Sequence, residues 1–433
     1  MNERNPLPEG TFAVGAGLLV SGLTAYAFIA IAGHVLDRQQ DDLAALKVLW
    51  FSTFALAPGF FLSLEQEVGR ALSHRLTLGQ GGRPVVRKAA ILGLALAVAL
   101  LVVIAIVGSI FLDKAFHGSV ALLFGLMLAT ATWASSHLAR GVFAGTRRFG
   151  AYGLIFGADG TIRVLLCLLL AAFGVTSIGV WGLLVGAPPI IALAIALRGQ
   201  HGLLEPGPEA SWSEVTTNLG WLLLGSVFAA FLVNAGPLAA KALSDRSQSK
   251  LVSDFSNGVL IARVPLFLFQ AVQAALLPKL ARLAAAGAFD QFRSGFRKLM
   301  ILVAAVAVVG VAGAYVAGPT ALKVFKSTLP RADLALLALG AGIYMAAIAM
   351  SQAVIALHGH AKVGVGWASG FGAFLLMLLL QGSLVPRVEL ALVVGSLVAA
   401  LVFWWALRVQ LRTGIAPDAG SLFEAAHDLP LEP

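Results

Sequence analysis

The chain has 433 residues, of which 59% are apolar and 12% charged, with a mean hydropathy of +0.90 and a formal charge of +9. Soluble domains run at roughly half apolar and about a quarter charged, so a soluble protein is excluded. The one cysteine, Cys167, excludes an intrachain disulfide, a Cys-based metal site and c-type haem attachment, and within its apolar run it reads as a packing residue.

A transmembrane helix needs about 20 apolar residues, and the chain divides into twelve such stretches. In chain order they are predicted near 11–33, 48–66, 89–112, 120–138, 151–173, 180–197, 215–238, 253–277, 299–317, 332–356, 363–384 and 388–407. The opening Met1–Gly10 is polar. Thr11–Ala32 behind it is longer than a signal-peptide core and has no distinct cleavage pattern, so it reads as a retained first span. With the N-terminus inside, the cytoplasmic segments hold eighteen Lys/Arg against ten in the opposite loops, while Arg163 and Arg263 lie within spans. Lys/Arg bias sets orientation, so both termini are expected in the cytoplasm. The basic residues flank apolar spans instead of forming one compact face, so nucleic acid is not an expected partner.

The spans repeat weakly. Pro58-Gly-Phe-Phe-Leu at the end of span two leads through Arg70, Arg75 and Arg87-Lys88, as Pro265-Leu-Phe-Leu-Phe in span eight leads through Lys279, Arg282, Arg293 and Arg297-Lys298. Gly145-Thr-Arg-Arg-Phe-Gly150 has a counterpart in Gly359-His-Ala-Lys-Val-Gly364. Six spans per copy keep both copies in the same orientation, which gives two six-helix lobes related by an axis along the membrane normal. The expected division is an N-lobe at 1–200, a linker at 201–214 with Pro206, Gly207 and Pro208, a C-lobe at 215–407 and a cytoplasmic tail at 408–433.

Span eight and its continuation, Leu-Leu-Pro278-Lys-Leu-Ala-Arg282-Leu-Ala-Ala-Ala-Gly287 with Phe292 and Arg297-Lys298, resemble the multidrug/oligosaccharidyl-lipid/polysaccharide exporter superfamily. Leu36-Asp37, Glu65-Gln-Glu67-Val-Gly-Arg70 and Gly141-Val-Phe-Ala-Gly145-x-Arg147 look most like its polysaccharide-biosynthesis and O-antigen flippase branch. The resemblance covers nearly the whole chain through loose, mainly apolar motifs. It implies an all-α protein with two lobes in a V around a central cavity, alternating access for lipid-linked glycans, and a bacterial inner (plasma) membrane location. The sister lipid II flippases usually carry two further C-terminal spans and several basic residues in span one, and this chain has neither.

Arg263 lies about ten residues into span eight, near mid-membrane. A charge there costs roughly 2.5–3.5 kcal/mol on insertion scales, so it is expected to face protein or water. It reads as a cavity contact for a phosphate or as an internally paired arginine. Pro265, two residues on, is expected to kink the helix as a hinge, with Pro58 its counterpart in the first lobe. Asp159 and Arg163 are four apart on one helical face. They read as a self-neutralised pair, or as a site where Arg163 also reaches a pyrophosphate or Asp159 takes protons. Their repeat counterparts, Ala373 and Met377, carry no charge.

Glu65, Glu67 and Arg70 stand where span two meets the cytoplasm, as an interfacial ion pair of Glu67 with Arg70 or as a gate. Asn234, Gln270 and Gln273 line a polar path or serve as interhelical glue. Phe289, Phe292 and Phe296 beside Arg293, Arg297 and Lys298 fit either an interfacial helix on an anionic leaflet or a plain extension of span nine.

Enzyme signals are poor. His358-Gly-His360 lacks a carboxylate or helical spacing for a metal, and Gly79-Gln-Gly-Gly-Arg83 lacks the Lys and hydroxyl of a nucleotide loop. Asp41-Asp42 would suit a membrane glycosyltransferase or polymerase, but the outer loops are short. The expectation is therefore no enzyme, no cofactor and no metal. The first expectation is a flippase moving a polyprenyl-pyrophosphate-linked oligosaccharide to the outer leaflet. Its partners would be that glycolipid, membrane lipids and a glycan polymerase or glycosyltransferases. The alternatives are an ion-coupled drug exporter of the same superfamily and a transport-inactive scaffold for glycan synthesis enzymes.

Overall fold

A computed structural model describes residues 10–217, 219–266, 269, 280, 283–284 and 286–413. The described residues are helical, with no strand among them. The long helices are α1 (Thr11–Val35), α2 (Gln40–Thr77), α3 (Arg83–Ile110), α4 (Val120–Gly145), α5 (Phe149–Ala172), α6 (Ile178–Leu197), α7 (Leu219–Leu243), α8 (Ser249–Ala262), α9 (Phe289–Leu322), α10 (Arg331–Ala356), α11 (His360–Met377) and α12 (Leu384–Thr413).

Ten of them are long and apolar enough to cross a membrane, which makes this a multi-pass membrane protein and falls two short of the expected twelve spans. The two exceptions are α8 and α11. The first has 14 residues and ends at Ala262, and the second has only 18, diluted by His360, Lys362 and its glycines.

Local sequence explains the boundaries. Pro84 opens α3, where its missing N–H would be unpaired in any case. Ser119 Oγ accepts the Leu122 N–H at the start of α4. Asp245 and Gln248 form a reciprocal capping box on the turn Arg246–Gln248 that leads into α8. The prolines behave differently from one another. Helix α2 continues through Pro58, which lies inside it. Helix α8 ends at Ala262, Arg263 is a turn residue whose N–H donates to Leu260 O, and Pro265 follows. The missing Pro265 N–H and the pyrrolidine ring together disfavour continuing the ladder there.

The chain forms two compact units, one of Met1–Leu219 with Ser244–Ser253, the other of Gly220–Leu243 with Asp254–Pro433. In the first, α1 packs along α5, α2 along α4, and α6 against α4 and α5. Contact is close because glycines meet backbone: a Cβ on Gly17 would come within 2.2 Å of the Gly153 carbonyl oxygen. Phe28 stacks on Trp50 at 5.0 Å between ring centroids. Lys47 Nζ donates to Ser253 O and Oγ at 3.0 and 2.7 Å, and Lys114 Nζ donates to Ser244 O, which holds 244–253 in this unit. In the second unit α12 packs against both α10 and α11, and α9 against α10. Exposed aliphatic side chains along α3 and α9, such as Val102, Ile106, Val308 and Val316, suit lipid rather than water.

The polar segment before α7 is pinned to the first unit. Arg75, buried on α2, donates to both Glu214 carboxylate oxygens at 2.6 and 3.0 Å, to Pro208 O at 2.8 Å and to Glu209 O at 3.1 Å. Lys88 reaches Ala210 O, and Arg148 reaches Gln200 Oε1 and His201 O. Basic residues that read from sequence as orientation signals thus also fasten the connection. Helix α9 starts at Phe289 and continues to Leu322, so the Phe/Arg stretch from 289 onward is an extension of that span and not a separate interfacial helix.

Candidate functional site

In the first unit the polar side chains gather between α2, α4 and α5. Gly69, Gly141 and Gly145 let α2 and α4 approach until a Cβ on Gly141 would lie 2.7 Å from Glu65 O. This turns the Glu65 side chain onto α4. There Oε2 lies 2.8 Å from His137 Nδ1 and accepts from Arg140 Nε and Nη2 at 3.0 and 2.7 Å. Tyr152 Oη of α5 donates to Oε1 at 2.7 Å. Glu65, His137 and Arg140 are all buried, and a carboxylate in that setting persists because several donors replace its lost water. The Arg140 guanidinium also faces the Phe156 ring at 4.5 Å.

About two to three helical turns farther along α5 from Tyr152, Arg163 Nη2 donates to both Asp159 oxygens at 2.6 and 2.8 Å, and its Nε donates to Leu184 O of α6 at 3.1 Å. Trp50 covers the guanidinium at 5.4 Å. Asp159 and Arg140 both line a cavity of about 10 Å³ with Trp133, Ser136 and Phe156, room for one water.

The sequence grouping of Glu65 with Glu67 and Arg70 is therefore corrected. Glu67 does pair with Arg70, through Nε at 2.9 Å and Nη2 at 2.7 Å, and Arg70 Nη2 also reaches Glu214 O. Glu65 belongs instead to the α4–α5 cluster, since residues two apart point to different sides of a helix. Sequence reasoning missed His137, Arg140 and Tyr152 because it ended span four at 138 and counted Arg140 as a loop charge. The available signal was the glycine-rich continuation Gly141-Val-Phe-Ala-Gly145, which keeps α4 helical and tightly packed past Arg140.

In the second unit the structure brings Arg263 and Asn234 together: Arg263 Nη1 donates to Asn234 Oδ1 at 3.1 Å, while Asn234 Nδ2 donates to Ala230 O. Arg263 is half-buried and lines a cavity of about 30 Å³ with Leu232, Val259, Leu337, Tyr344 and Ser396. Tyr344 Oη is fixed by Ala229 O at 3.0 Å. Pro265 packs where a Cβ on Gly310 would lie 2.7 Å from its Cγ. Gln270 and Gln273 lie outside the described residues. Glu389 of α12, also missed in the sequence, is 1% exposed, and its Oε1 has no hydrogen-bond partner among the described residues. No group of three metal-ligating side chains occurs among the described residues.

Chains of known structure share this helix arrangement. The outward-facing conformation of a multidrug resistance MATE family transporter of the MOP superfamily superposes with a TM-score of 0.70 over 93% of this chain and 96% of that one, at 13% identity. The chain has the fold of the MATE transporters. An inward-facing MATE structure gives 0.67 over 94% of this chain and 95% of its own, at 16% identity. A MATE transporter of Vibrio cholerae gives 0.67 over 94% and 96%, at 15% identity. At these identities the likeness is one of fold. In sequence, the MATE-like chain is 27% identical over 420 residues to uncharacterised proteins of Mycobacterium tuberculosis and Mycobacterium bovis, covering 89% of each partner. No family model matches it.

Proposed function

We propose that the chain is a transporter of the polysaccharide flippase kind, moving a polyprenyl-pyrophosphate-linked oligosaccharide from the cytoplasmic to the outer leaflet by alternating access. The observation that carries this reading is the second-unit cavity, whose lining joins the Arg263 guanidinium to apolar side chains and includes no carboxylate among the described residues. Guanidinium binds phosphate oxygens bidentately, whereas poorly screened like charge in the membrane repels an organic cation. A volume of about 30 Å³ admits water only, so cargo access requires the unit to open around Arg263. Depletion of the protein should accumulate polyprenyl-linked sugars detectable by mass spectrometry. An unchanged glycolipid pool on depletion would remove this reading.

The second reading, an ion-coupled drug exporter, draws on the fold of multidrug resistance MATE transporters and on the Asp159-lined cavity of the first unit. Uptake of an organic cation into inverted vesicles, driven by a Na⁺ or H⁺ gradient, would establish it. A transport-inactive scaffold would instead tolerate every cavity variant. The orientation that goes with the flippase reading places both termini in the cytoplasm of a bacterial inner membrane. Cysteines at Ser119 and Ser247 in a Cys167→Ala background should then label from outside and one at Thr77, exposed at the end of α2, should not. Lobes at 1–200 and 215–407, apart from 244–253, which packs in the first unit, should move as rigid bodies: spin-label distances within each lobe should hold during turnover, and those across the lobes should change.

A further inference from the structure

The start of α9 and the end of α12 form a corner of the second unit that the transport reading does not use. Arg293 Nη2 donates to Leu411 O at 2.9 Å, which fastens the two helix ends side by side. Arg297 is one turn along α9 from Arg293, and Arg408 is one turn back along α12 from Arg412, all four on exposed positions. Asp290 accepts from Arg293 Nη1 at 3.1 Å, so the corner keeps a net positive charge. The Arg408 guanidinium lies over Trp404, 3.7 Å from the ring centroid, and Trp404 and Trp405 are themselves 46% and 60% exposed. Helix α9 has 34 residues, about 51 Å of length against a hydrocarbon core of ~30 Å, so it extends past the core, and its basic first turns suit headgroup level.

We propose that this corner is a binding site for an anionic phospholipid of the leaflet that the loop charge bias assigns to the cytoplasm. Arginines from two fastened helices present planar donors to lipid phosphate oxygens. The exposed indoles one turn deeper take the level at which tryptophan meets glycerol and the upper acyl chain. A free anion would use the arginines alone and has no use for the indoles, which is why the occupant is a lipid. Arg408, held on Trp404, ties the two halves of the site together.

Native mass spectrometry of the full chain, equilibrated with cardiolipin, phosphatidylglycerol and phosphatidylethanolamine, tests this. The wild type should retain the anionic lipids at least about fivefold over phosphatidylethanolamine. The double variant Arg297→Gln with Arg408→Gln should lose that preference, while Arg246→Gln, exposed in the first unit, should keep it. Both altered residues are on the surface, and Arg293, which fastens the helices, is left in place. Equal retention by the double variant would overturn the proposal, as would complete displacement of lipid by millimolar inorganic phosphate. So would retention seen only in a chain ending at Thr413, which would assign the arginines to the acidic tail residues Asp418, Glu424, Asp428 and Glu432.

Discussion

In the first unit Glu65 accepts from Arg140 and Tyr152 beside His137, and Asp159 is held twice by Arg163. In the second unit Arg263 meets the neutral amide of Asn234 beside a cavity and remains half-buried. Charges of the first kind are locked: each buried ion has a fixed counter-ion, and removing one leaves the other without compensation. A charge of the second kind stays within reach of water or of an incoming anion. On the weak repeat read from the sequence, Ala373 and Met377 would stand where the first half has Asp159 and Arg163, so the polar chemistry would not be duplicated. Each half can then be assigned a different duty, rigidity to the first and cargo contact to the second.

That contrast breaks most readily at Glu65. Glu65→Ala strands the buried Arg140 guanidinium and should lower stability by about 3–5 kcal/mol. Thermal melting in detergent measures this, and a loss below about 1 kcal/mol would mean that the first unit is not locked. Asp159→Ala comes next at about 3 kcal/mol, because Arg163 keeps its bond to Leu184 O. A smaller effect, about 1–3 kcal/mol, is expected for Arg75→Ala, which frees the segment before α7 from four acceptors. Its readout is limited proteolysis: cleavage within 198–214 should appear in the variant and be absent from the wild type. The smallest effect on stability, about 1 kcal/mol or less, is expected for Arg263→Ala, since the residue is only half-buried and its bond to Asn234 is to a neutral amide.

Apolar runs of helix length were legible because membrane spans must bury every backbone polar group internally. That is why α1 to α7, α9, α10 and α12 fall on the expected stretches, although α2 and α9 run well past the expected bounds of 48–66 and 299–317. The pairs Asp159–Arg163 and Glu67–Arg70 were legible too, since spacing along one helix fixes which side chains meet. The Glu65 cluster was not, because Glu65, His137, Arg140 and Tyr152 come together only once α2, α4 and α5 pack, and the glycines that set that approach look like ordinary apolar filler. Arg75 was hidden for a similar reason: it meets the Glu214 carboxylate and the Pro208 and Glu209 carbonyls more than a hundred residues away, and a carbonyl has no sequence signature.

The central claim is that Arg263 is the cargo contact of the second unit. The direct measurement is glycolipid flipping by Arg263→Ala, Arg263→Lys and Arg263→Glu, with melting recorded on the same preparations. The account predicts that alanine abolishes flipping while stability changes by about 1 kcal/mol or less, that lysine restores part of the activity because it keeps the charge without the bidentate fork, and that glutamate is inactive. An alanine variant that flips at the wild-type rate would contradict it.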